Sequence, residues 1–159
     1  MKPLEKLPCW VVIRLCTDDD RIVKYWNNID SQLELDMDVL DDFASEATEI
    51  MQVNSWLVYG EPLHKLREWG VNFKELDLLD EAPLSADQMR FTCAMLLFGM
   101  ATSELPHPSE NWSAFEQLII SANKETPQVW NPVSRRMSNW VSISGLKKRY
   151  GPTSSCAIM

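Results

Sequence analysis

Glycine is scarce in this 159-residue chain, which contains five. Phosphate loops need glycine where the backbone approaches the ligand, and neither G-x-x-x-x-G-K-[ST] nor G-x-G-x-x-G occurs, which excludes nucleotide binding through those motifs. Histidine is scarcer still, at two residues. His64 falls on a short helical stretch and reads as a surface residue, while His107 lies between two prolines. No G-x-S-x-G elbow presents a serine, and Cys93 sits in a strongly apolar segment where a thiol is inert packing. The four cysteines, Cys9, Cys16, Cys93 and Cys156, form no C-x-x-C pair, and Cys/His spacing for zinc is lacking. Long apolar runs are missing too: the longest, "FTCAMLLFGMA" at 91–101, is about half of what a bilayer span requires. The acid-rich stretches "DSQLELDMDVLDD" and "TDDDRIVKYWNN" lack the sixth-position glycine of an EF-hand loop. The expectation is a reduced, cytoplasmic protein.

Acid is also lacking, in one place only. Residues 1–125 hold all 23 Asp and Glu with ten of the 15 Lys and Arg, a net of −13, whereas residues 126–159 hold five basic residues and no acid. An acidic body disfavours nucleic acid as a partner; a basic tail suits an anionic membrane surface.

What is present is a core. Hydrophobic residues make up 45% of the chain and seven Trp are among them, so one domain over 1–150 with a flexible tail at 151–159 is expected. Trp10, Trp26, Trp56 and Trp69 are the aromatic core candidates. "CWVVIRLC" at 9–16 is β-branched and nearly continuous in apolar character, the pattern of a strand buried on both faces with a parallel neighbour. Beyond "TDDD", Ile22, Tyr25, Trp26 and Ile29 recur with helical period. Residues 36–53 read as one helix with Asp38, Asp41, Asp42, Glu46 and Glu49 on a solvated face. "WLVYG" at 56–60 suggests a strand, residues 62–70 a short helix, and 71–83 a strand or turn. Ser85 with Gln88 makes a capping box opening a central helix, and Ser113 with Glu116 a second one. Residues 132–140 then read as helical, with "WVSIS" continuing that helix or forming a short strand. The fold class is helix-rich α/β: a small, partly parallel sheet around a buried N-terminal strand, with amphipathic helices packed on it.

"WVVIRLCTDDD" resembles the von Willebrand factor A strand that ends in a Thr-Asp turn at a metal site, and the order of "WLVYG", "PLHKLREWG" and "VNFKELDLLDE" is similar to that domain's later half. The resemblance covers residues 8–81. It implies that Asp18 matches the family's later metal-site acid, with Asp19 and Asp20 beside it, and that a divalent cation, Mg or Ca, is the cofactor. The family's D-x-S-x-S motif is absent, so the implied ion site is incomplete.

The chain ends "LKKRYGPTSSCAIM", with Cys156 fourth from the terminus as in a prenylation box; the final Met favours farnesyl. A single prenyl chain anchors weakly, and Lys147, Lys148 and Arg149 would supply the second, electrostatic contact at the cytoplasmic face of a membrane. Three functions are therefore expected in order: a non-catalytic interaction module with a protein partner, a farnesylated peripheral membrane protein, and a metal-assisted enzyme using Asp18, Asp19 and Asp20.

Overall fold

A computed structural model describes residues 4, 6–17, 19–30, 32, 37–99 and 105–152. The chain opens with a strand, a helix and a second strand: β1 (Val11–Arg14), α1 (Asp20–Asp30) and β2 (Met37–Leu40). The two strands pair in parallel, Val11 with Met37 through Arg14 with Leu40. Four helices follow, α2 (Phe43–Val53), α3 (Glu61–Glu68), α4 (Lys74–Glu81) and α5 (Ala86–Phe98), then α6 (Trp112–Glu125). An antiparallel hairpin of β3 (Val129–Asn131) and β4 (Arg136–Ser138) precedes α7 (Ile143–Tyr150). The architecture is helix-rich α/β with a small parallel pair, as the sequence pattern implies.

Apolar side chains from α2 to α7 make one buried cluster, in which Trp56, Met89, Leu105, Phe115, Ile119 and Leu146 are nearly inaccessible. Helix α5 runs through it, burying Met89, Thr92, Cys93 and Ala94, and opens with the capping box foreseen at Ser85 and Gln88. Complete burial pushes the Cys93 thiol well above its ordinary range and leaves it unreactive. Asn54 organises the opposite end. Its amide donates to the Leu79 and Ala82 carbonyls at 2.7 and 3.0 Å, and its oxygen accepts from the Leu84 N–H at 3.1 Å, so the exit from α4 is fixed by a fully buried side chain.

Several expectations are corrected. The first strand is shorter than residues 9–16 and half-buried, not covered on both faces. Residues 36–53 are not one helix: β2 ends at Leu40, and the Asp42 carboxylate caps α2 by accepting from Ala44 and Ser45. Residues 56–60 form no strand, since Leu57 makes only an isolated bridge to Val141. The segment before Pro83 is helix α4, driven by the buried pair Leu76 and Leu79. Asn111, rather than Ser113, caps α6, because the helix begins at Trp112 and the Asn111 side chain reaches the Ala114 N–H at 3.0 Å. Residues 132–140 turn instead of coiling: Asn131 accepts from Val133 and Ser134, folding the chain back into β4, and Ser142 caps α7. Of the four core Trp candidates only Trp56 is buried; Trp10 and Trp26 are half-buried and Trp69 is 76% exposed. His64 is buried, at 3% exposure, not on the surface.

Candidate functional site

The edge of the parallel pair is the first unusual surface. Parallel strands are ordinarily covered on both faces and flanked by further strands, because their crossovers lay helices over the sheet. Here, among the described residues, β1 has β2 as its single strand neighbour. The Leu15 N–H donates to the Leu40 carbonyl at 2.8 Å, so the alternation of an extended strand turns Val11 and Ile13 toward β2 as well. By the same alternation the backbone groups of Val12 and Arg14 face away from β2, and among the described residues no further strand stands on that side.

The side chains of β1 pack against the end of α3. Trp10 and Val12 lie against Gly70, whose added Cβ would stand 3.6 Å from Trp10 Cδ1 and 3.9 Å from Val12 Cγ2. Gly70 has φ +76°, which only glycine adopts readily, and it directs the chain away immediately after α3. Arg14 Nε reaches Glu68 Oε1 on α3 at 3.0 Å. The crossover helix α1 leans mainly on β2. Val11, Val12 and Ile13 are consequently half-exposed, while Leu7, Ile22, Tyr25 and Trp69 of the same N-terminal unit and its flank stand 40% exposed or more.

Behind the pair lies a buried charge cluster that sequence patterning missed. Arg67, 3% exposed, extends from α3 and donates through Nη2 to Asp38 Oδ1 at 3.0 Å and through Nη1 to Glu46 Oε2 at 2.8 Å. Glu46 Oε1 accepts from the Asp41 N–H at 3.1 Å. One guanidinium thus ties α3 to β2 and α2. Burial pushes the Glu46 carboxyl up to about 7; Arg67 opposes that rise, and the negative charges of Asp80 and Asp38 add to it. Burial works against the charge on Arg67 as well, but Glu46, Tyr59 and Asp38 outweigh it and hold the guanidinium protonated. Burial raises Asp80 too, and its Oδ1 has no hydrogen-bond partner among the described residues. Asp41, Glu46, Glu49 and Asp80, with Leu15, Val23 and Val39, line a cavity of about 60 Å³. On the far side, the Tyr59 hydroxyl lies 3.2 Å from His64 Nδ1, and His64 Nε2 lies 3.4 Å from Glu68 Oε1 without hydrogen-bond geometry. Burial lowers the His64 pKa, favouring the neutral ring.

The residues singled out in the sequence do not converge. Asp18 and Cys156 lie outside the described residues. Asp20 is the first residue of α1. Asp19 is committed to Arg21, accepting from Nε at 3.1 Å and Nη2 at 2.8 Å, and that bond lowers its pKa. Among the described residues, no three His, Cys, Asp or Glu side chains gather in a way that could hold a metal ion. Lys147, Lys148 and Arg149 are all exposed on the last turn of α7, where positive charge complements the helix dipole. No helix of the described residues is long and apolar enough to cross a membrane. The comparisons with known proteins return nothing: no family model, curated protein or solved structure matches this chain.

The signal for the buried cluster was legible in "LELDMDVL", where Leu33, Leu35, Met37 and Val39 alternate with acids. That period of two belongs to a strand, and it places Asp38 on one face of β2, the face that Arg67 meets.

Proposed function

We propose that this chain is a non-catalytic intracellular protein-interaction module, in which an extended segment of a protein partner completes the parallel pair at the β1 edge. The observation that carries this reading is the half-exposed, apolar β1 with, among the described residues, one strand neighbour and an outward row of backbone groups at Val12 and Arg14. Strand addition takes its affinity from such backbone groups and its selectivity from flanking side chains, here Trp10, Trp69 and Arg14. The charge cluster supports the same role mechanically. Arg67 fastens β2 to two helices, so the open edge sits on a braced base.

The test is capture of cross-linked partners from a cytoplasmic extract, with and without added calcium or magnesium, by the wild-type chain and a Val12→Pro variant. Proline at an edge position removes one outward donor and leaves the β1–β2 ladder bonds in place. Partner capture by the wild type and its loss in Val12→Pro, at an unchanged thermal midpoint, is the expected result. Capture of no partner under either ionic condition, or equal capture by both chains, would count against this function.

A second reading, peripheral attachment through a farnesylated Cys156, is favoured by the exposure of all three basic residues on the last turn of α7. Intact mass from a eukaryotic host, beside a Cys156→Ser control, decides it. The metal-assisted reading gains nothing from Asp19, whose carboxylate is taken by Arg21.

A further inference from the structure

The cavity beside the charge cluster lies on a seam. Leu15, Val23 and Val39 enter it from the β1–α1–β2 unit, Glu46 and Glu49 from α2 and Asp80 from α4, with Asp41 on the link between β2 and α2. Its apolar wall thus belongs to the N-terminal unit, and its acidic wall belongs mainly to the helical body. At about 60 Å³ it has room for a few water molecules. So little water cannot hydrate four ionised carboxylates facing three aliphatic side chains.

Charge around the cavity is unbalanced. Arg67 on α3 is the cation there, and it is already committed: Nη1 donates to Glu46, and Nε and Nη2 donate to Asp38 on β2. Asp77 on α4 and the Tyr59 hydroxyl ahead of α3 are the further titratable neighbours of this group. Helix α1 contributes Val23; its Arg21 is bonded to Asp19, and its Lys24 is exposed. Burial raises the carboxyls of Glu46, Glu49 and Asp80 alike. Asp80 and Asp41 add to the rise at Glu49, and Asp38 and Asp77 add to that at Asp80 against the pull of Arg67. Carboxyls that act on one another in this way titrate as a group, and the proton belongs to the cavity more than to one residue.

We infer that this cavity is a proton-operated joint: while its carboxyls hold a proton the β1–α1–β2 unit stays closed on α2 and α4, and loss of that proton lets the unit open with the core of α2 to α7 still folded. The seam is where water enters at least cost, because the main apolar cluster begins at α2 and survives the parting of Leu15, Val23 and Val39 from the acids. The sign follows from Glu46, whose folded carboxyl holds its proton above the ordinary carboxylate range. Closure is complete below about pH 4.5 and weakens as pH rises through about 7. The joint does not depend on a partner at β1.

Amide exchange of the full-length chain in low urea, at about pH 5.5 and about pH 8 and corrected for the intrinsic rate, separates opening of the unit from global unfolding, because a partial opening exposes less surface and responds less to urea. Ile13 and Leu15, whose amides face β2, should exchange through an opening that depends weakly on urea, and their protection should fall roughly tenfold or more between the two pH values. In a Glu46→Gln, Asp80→Asn double variant that fall should shrink to less than about threefold. Exchange of Ile13 and Leu15 with the same steep urea dependence as Cys93 in α5 and Ile119 in α6 would mean that the unit opens only with the whole fold, and overturns the inference. Protection of Ile13 and Leu15 that does not change with pH, or that falls as far in the double variant as in the wild type, also overturns it. The wild-type measurement decides alone if the double variant does not fold.

Discussion

Arg67 shows what one residue contributes when it is buried among opposite charges. Its guanidinium is shared between Asp38 and Glu46, and the side chains of all three are at least about nine-tenths inaccessible. Removing one partner of such a group strands the others in a poor dielectric, so Arg67→Met should cost about 3–5 kcal/mol, read from urea denaturation. Arg67→Lys should recover little, because an ammonium cannot reproduce the forked contacts. Glu46 behaves differently. Its carboxyl is raised from 4.5 to about 7 in the folded chain, so the native state holds this proton more tightly than the unfolded state does. That contribution is complete below the unfolded value and is lost as pH rises through the folded one, by an amount on the order of 3 kcal/mol. Relative to Glu46→Gln, the wild type should therefore lose stability between about pH 4.5 and pH 7 in urea titrations. The groups around Glu46 are Asp38 on β2, Asp41 beyond it, Arg67 on α3 and Asp80 on α4; the shift at Asp80 has the same sign and persists in both proteins.

Elements differed in how far their residues announced them. The helix α5 was legible from Ser85, Gln88 and an apolar run because its cap, its period and its burial agree. The parallel partner of β1 was hidden in a stretch that also fits a helix: Val39, Leu40, Phe43 and Ala47 recur at helical spacing across the boundary, and only the Asp42 cap, with Ser45 three places on, separates strand from helix. The same ambiguity holds at 71–83, where short apolar runs decide little and tertiary burial of Leu76 and Leu79 settles the outcome. The hairpin was obscured because Asn131-Pro132 is equally a helix start and a turn. As for the candidate site, β1 was readable, but its open edge was not, since an edge is a property of what stands beside a strand. Contacts between elements also carry consequences that no propensity reveals. Gly145 in α7 lies so close to the Trp56 backbone that an added Cβ would sit 2.7 Å from Trp56 Cα and 2.9 Å from the Ser55 carbonyl. Backbone cannot yield as a side-chain tip does, so Gly145→Ala should destabilise by about 1–3 kcal/mol despite better helix propensity, measured as a fall in thermal midpoint.

At the scale of the whole molecule, the charge division acquires a structural meaning. The acids counted as a solvated face are partly internal, because Asp38 and Glu46 are spent on Arg67. The basic segment, in contrast, displays Arg135, Arg136, Lys147, Lys148 and Arg149 to solvent. The apolar cluster is formed from α2 onward, and the β1–α1–β2 unit is joined to it largely through α3; the unit buries Leu15, Met37 and Leu40 but leaves Ile22 and Tyr25 at the surface. A unit attached in this way is suited to receiving a strand, since completing the sheet would cover Val11, Val12 and Ile13. Amide hydrogen exchange along residues 11–15 tests that claim most directly. In the free chain the Val12 and Arg14 amides should exchange far faster than those of Ile13 and Leu15, which face β2. Once a captured partner is added, the same two amides should become protected. Equal protection across Val12, Ile13, Arg14 and Leu15 in the free chain, or no change at Val12 and Arg14 on binding, would contradict an open edge that a partner closes.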